Sequence, residues 1–164
     1  MKIKPKVLFL GCNYDEIPYL KTLQERGFHV VATDINPDAP GMKLADSEII
    51  CGYDDFKCLD KAISKEGFEN FAMVFTASSQ FAHIGASHIS KQLGLPYPSM
   101  DSIRACLDKT AFYPLFQKNG ISIPDTYYVK NLSELKGVLS KYPKEADFYL
   151  KSDYSKNPNH IYTG

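Results

Sequence analysis

Nothing in this sequence marks it as a partner of a polyanion or of a membrane. Its 19 basic residues are matched by 19 acidic ones, leaving no basic surplus or stripe. Each nucleic-acid phosphate that a protein neutralises needs a cation, so nucleic acid is not an expected partner. No apolar run approaches the roughly 18 residues that a helical membrane span requires. The opening MKIKPKVLFLGCN looks like a signal peptide only at first sight. Its apolar run at 7–10 is too short for an h-region, and no small-residue cleavage site follows. Cysteine is sparse, and Cys12, Cys51, Cys58 and Cys106 are spaced too widely for a CxxC metal or redox motif. They are expected to be free, mostly buried thiols of a reducing cytoplasm. His83 and His88 lie five apart, off a common helix face, which argues against a metal pair.

What is present is the material of a globular core, 44% hydrophobic and 23% charged. Over the first hundred residues, short apolar runs alternate with amphipathic segments. Residues 6–10 (KVLFL) and 28–33 (FHVVAT, followed by Asp34) read as strands buried on both faces, with shorter candidates at 49–51 and 73–76. Between them, 14–26 places Ile17, Leu20 and Leu23 at helical spacing before Gly27, and 56–65 does the same with Leu59, Ala62 and Ile63. A helix at 83–93 is closed by Gly94 and punctuated by Pro96 and Pro98. This alternation predicts an α/β, Rossmann-like parallel sheet, with a first domain at 1–98.

From Tyr97 the texture changes, predicting a small α+β lobe at 99–164 that looks incomplete. One helix is expected over 102–118, its apolar side carrying Ile103, Cys106, Leu107, Phe112, Leu115 and Phe116. An alternating run follows at 126–129, then a helix at 132–139 capped by Asn131 or Ser133, then a strand at 148–151. Two strands and one or two helices make no independent core, so the chain reads as a fragment of something longer.

The first turn, Gly11-Cys12-Asn13-Tyr14, lies where a doubly wound sheet binds ligands. A dinucleotide fingerprint needs three glycines there, and only Gly11 is present, so a nicotinamide cofactor is disfavoured. Asp34 then reads as a cap or turn residue rather than a ribose ligand. Thr76, Ser78, Ser79 and Gln80 follow a later strand and suit a polar small molecule, although capping of the next helix by Ser78 or Ser79 would explain them equally. Gly11, Asn13, Thr76 and Ser78 are the candidate substrate-binding residues. In the second half, Lys109 follows Asp108 within the expected helix, and Lys151 ends a strand before a polar loop. Two ammonium groups brought together near such a loop can hold a polyphosphate.

The phrase Asp108, Lys109, Phe112, Phe116, Gly120, Ile121, Pro124 resembles the opening of the ATP-grasp domain, as in biotin carboxylase and the large chain of carbamoyl-phosphate synthase. The earlier Asp34-Ile35-Asn36-Pro37, Ala45-Asp46 and Gly94-Leu95-Pro96 are similar to that superfamily's first, pre-ATP-grasp domain. The resemblance implies a ligase that activates a carboxylate as an acyl phosphate and passes it to an amine or similar nucleophile. It implies ATP on Lys109 and Lys151, with Ser155 as hydroxyl donor in the phosphate-covering loop. It also implies Mg2+, whose ligands would lie beyond residue 164, and a first domain that binds acceptor substrate or forms a homodimer. The loop at 152–164 departs from the family in having glycine only at its last position and a proline at 158. Taken alone the chain is expected to be inactive and to bind nucleotide poorly. The alternative is a non-catalytic Rossmann-like module that binds a small nucleotide or metabolite.

Overall fold

The computed structural model describes residues 3–67, 69–151 and 161–163, the last as backbone; Ser155 lies outside the described residues. The chain divides into two units, Met1–Ile103 and Arg104–Gly164.

In the first unit, β1 (Lys6–Leu10), β2 (His29–Asp34), β3 (Ser47–Ile50) and β4 (Phe71–Phe75) form a parallel sheet in the order β3-β2-β1-β4. This is the expected α/β architecture. Helices α1 (Ile17–Glu25) and α2 (Phe56–Glu66) supply the crossovers from β1 to β2 and from β3 to β4, and α3 (Ala82–Leu93) and α4 (Met100–Leu107) follow β4. Successive side chains of a strand point to opposite faces, so β1 feeds two cores. Leu8 and Leu10 pack with Val31, Leu59, Ile63, Ala86 and Ile89. Phe9 packs on the other side with Leu20, Val30, Ala32 and Met42. Burial on both faces is why β1 and β2 carry no alternation in sequence. Gly85 lets α3 approach closely, because a Cβ there would collide with the Tyr53 carbonyl oxygen. No helix among the described residues is long and apolar enough to cross a membrane.

Cys51 and Cys58 form a disulfide, with Cα atoms 5.9 Å apart, which corrects the expectation of four free thiols. The turn after β3 folds back so that the first turn of α2 lies beside the strand end, a proximity that spacing along the chain does not reveal. Cys12 is free and buried, and Cys106 is free and exposed.

The second unit holds α5 (Lys109–Lys118), α6 (Leu132–Leu139) and the antiparallel pair β5 (Tyr149–Lys151) and β6 (Ile161–Thr163). The single helix expected over 102–118 is two helices. Asp108 adopts an extended backbone (φ −96°, ψ 106°) and its carboxylate accepts the Thr110 N–H at 2.8 Å and the Thr110 hydroxyl at 2.6 Å. An aspartate satisfies the open N–H groups of a new helix better than it serves the interior of an old one, so Asp108 is the N-cap of α5. At 126–129 no strand forms. The Tyr142 hydroxyl instead bonds Asp125 Oδ2 at 2.9 Å and Tyr127 Oη at 3.1 Å. Asn131 is the cap of α6: its side chain accepts the Glu134 N–H, while Glu134 accepts the N–H of Lys130 just before the cap.

Candidate functional site

Beyond the carboxyl ends of the strands the first unit opens a cleft of about 220 Å³, lined among others by Gly11, Asn13, Glu16, Asp34, Tyr53 and Ser79. It lies where strand order reverses, β1 being followed by β2 on one side and neighboured by β4 on the other. Ligands of open α/β sheets sit at such switch points.

The local sequence builds this cleft step by step. Gly11 turns the chain at φ 91°, a backbone conformation that side chains disfavour. The Gly11 N–H donates to the Thr33 carbonyl at 2.9 Å, and the next N–H, of Cys12, donates to Asp34 Oδ2 at 2.9 Å. Asp34 Oδ1 accepts the Asn36 N–H at 2.9 Å. The expected cap or turn role for Asp34 thus holds, and its carboxylate is fixed at the cleft wall. A short 3-10 turn, Tyr14–Glu16, then leads into α1, whose start is set by Pro18. That places Glu16 at the positive end of α1, where a carboxylate is favourably sited.

Glu16 is only 1% exposed. Its Oε1 accepts the Ser78 hydroxyl, while its Oε2 is buried with no hydrogen-bond partner. The expectation that Ser78 or Ser79 caps α3 is corrected here, since the cap is Phe81 with no side-chain bond. Ser78 is drawn to the buried carboxylate instead, a stronger acceptor than a neutral group. Thr76 is buried and its hydroxyl has no partner. The Cys12 thiol is pushed up to about 12 by burial first, then by the charges of Asp34 and Glu16, so it is no nucleophile at neutral pH.

Of the candidate residues, Gly11 and Asn13 line the cleft and Ser78 reaches it through Glu16. Glu16 itself escaped sequence reasoning. Its one signal was Pro18, which marks a helix start and makes the preceding acid a terminus residue. The lysines belong to the second unit. Lys109 is the first residue of α5, directly after its cap, and Lys151 is the last residue of β5, with Nζ 5.8 Å from the Tyr149 ring centroid. Hydrogen bonds from Thr110 hold the Asp108 carboxyl below the usual carboxylate range, so a fixed anion sits beside Lys109. Among the described residues, no group of three or more His, Cys, Asp or Glu side chains could hold a metal ion.

No protein-family model and no curated protein matches the sequence. Solved structures do. N5-carboxyaminoimidazole synthetase from Staphylococcus aureus, complexed with ADP, matches 99% of this chain at TM-score 0.71 and 16% identity. Phosphoribosylglycinamide synthetase from Anaerococcus prevotii matches 98% at TM-score 0.68 and 20% identity. The chain has the fold of the N-terminal part of the ATP-grasp enzymes. The biotin carboxylase domain of a single-chain bacterial carboxylase, another ATP-grasp protein, matches 84% at TM-score 0.61 and 18% identity. The chain spans about two fifths of the first two structures, 42% and 39%, and 34% of the third.

Proposed function

We propose that this chain carries the acceptor-binding domain and the first nucleotide-binding elements of an ATP-dependent carboxylate–amine ligase. Lys109 and Lys151 contact the nucleotide phosphates, Ser155 donates a hydroxyl to them, and the cleft at Gly11, Asn13, Thr76 and Ser78 receives the second substrate. The observation that carries the reading is the match of nearly the whole chain, in both units, to ATP-grasp ligases, one of them complexed with ADP. The residues fit ATP in kind: two cations in one unit, at a helix start and a strand end, suit a triphosphate. They do not fit Mg2+, because the described residues offer no cluster of ligands, and no step through the metal is derived.

Calorimetric titration of the chain with ATP tests the reading. Binding in the millimolar range is expected, lost on Lys151→Ala. Heat that is unchanged in that variant would count against it.

A further inference from the structure

The Cys51–Cys58 disulfide stands at the wall of the first-unit cleft. Cys51 and Tyr53 line that cleft, and the bond closes the short stretch 52–57 between the end of β3 and the first turn of α2. Each end is also anchored without it. The Cys51 N–H donates to the Asp34 carbonyl at 3.1 Å, and the Cys51 carbonyl accepts the Thr33 hydroxyl at 3.1 Å. The Cys58 N–H donates to Asp55 Oδ1 at 3.0 Å, which caps α2. Between those anchors the chain turns, and the Asp55 N–H donates to the Gly52 carbonyl at 3.2 Å.

Two facts separate this bond from one that holds a fold together. A cross-link restrains the unfolded chain more as its loop lengthens, and a sequence separation of 7 is short. The four parallel strands, and the core of Phe9, Leu20 and Val30 on one face, lie outside that loop. The two sulfurs also differ in access: Cys51 is 5% exposed, whereas Cys58 is only partly buried. Thiol–disulfide exchange goes through the sulfur that a thiolate can reach, which here is Cys58 Sγ.

We infer that Cys51–Cys58 is a thiol–disulfide switch: oxidised, it fixes the cleft wall at Tyr53, and reduced by a dithiol, it frees residues 52–57 while the sheet stands. In the exchange a thiolate of the dithiol bonds to Cys58 Sγ, and Cys51 leaves as a thiolate and takes up a proton. The dithiol's second sulfur then attacks the first, closing a disulfide within the reductant, and Cys58 leaves and is protonated in turn. Two electrons pass from the dithiol to the protein. That the switch controls entry of a second substrate rests on the ligase reading; the switch itself does not.

Amide hydrogen exchange, compared between the oxidised chain and the chain reduced by dithiothreitol, tests this. The Asp55 amide should exchange about tenfold faster after reduction, with the amides of Leu8 and Val31 in the sheet unchanged. A second measurement locates the attack, on a Cys106→Ser background because Cys106 is exposed. Glutathione disulfide should modify Cys51→Ser, which keeps Cys58, about tenfold faster than Cys58→Ser, which keeps Cys51. A bond that dithiothreitol breaks only in denaturant, an Asp55 amide that does not respond, or faster exchange at Leu8 and Val31 as well would overturn the inference. So would equal or reversed rates in the two variants. No nucleotide enters either measurement, so failure of the switch and failure of the ligase reading are separate results.

Discussion

The hydroxyl of Ser78 donates to the carboxylate of Glu16 across 62 positions of sequence, joining the turn after β4 to the start of α1 on either side of the cleft. Removing the hydroxyl leaves both oxygens of a buried carboxylate unpaired. Ser78→Ala is therefore expected to cost about 1–3 kcal/mol. Urea unfolding monitored by circular dichroism reads this directly, and a midpoint that does not move would contradict the bond.

Gly85 and Gly137 form a matched pair of helix glycines. A methyl group at Gly85 meets the Tyr53 carbonyl and Leu10, both of which must shift, whereas at Gly137 it meets nothing within 4 Å. Gly85→Ala should destabilise by about 1–3 kcal/mol through overpacking. Gly137→Ala should stabilise by up to about 1 kcal/mol through helix propensity. Thermal melts of the two variants should move in opposite directions. Movement in the same direction would show that α3 does not approach Tyr53 as described.

Thiol counting checks the disulfide. In the native, unreduced chain only Cys106 should react quickly with a thiol reagent at pH 8, since Cys12 is buried and its thiol is pushed up to about 12. Denaturant should release one more thiol, and denaturant with reductant should release all four. Four reactive thiols in denaturant without reductant would mean that Cys51 and Cys58 are not bonded.

His83 gives stability a pH dependence. Burial lowers its pKa below the ordinary 6.5, and its Nδ1 lies 2.7 Å from the Tyr97 hydroxyl. Above pH 6.5 the imidazole is neutral in folded and unfolded chains alike, and the contribution is fully present. As pH falls the unfolded chain takes up a proton that the folded one resists, so stability is lost until pH passes below the lowered value. Unfolding free energies measured from pH 7.5 down to 5 should decline less steeply in His83→Gln. Identical slopes would contradict this role.

The sheet was legible because its strands are buried on both faces and therefore read as continuous apolar runs, with β1 and β2 placed within a residue of their observed bounds. The break at Asp108 was not legible. Ile103, Leu107, Phe112 and Phe116 continue a helical apolar rhythm across it, and only the side chain's bond to Thr110 reveals that one helix ends and another begins. Glu16 was hidden for a different reason. An acid in the first turn of a helix ordinarily faces water, and nothing local announces that the turn after β4 will bury it beneath Ser78. The disulfide, too, depends on how the chain between β3 and α2 folds back.

The convergence of Lys109 and Lys151 on a nucleotide's phosphates is the claim on which the functional reading stands. An acyl-phosphate derivative of ATP tests it, because the reagent acylates lysines lying beside the bound terminal phosphate. After brief exposure and peptide mass spectrometry, Lys109 and Lys151 are expected to carry the label above the chain's other lysines, and excess ATP should suppress both. Labelling spread evenly over the surface lysines, or undiminished by ATP, would contradict the claim.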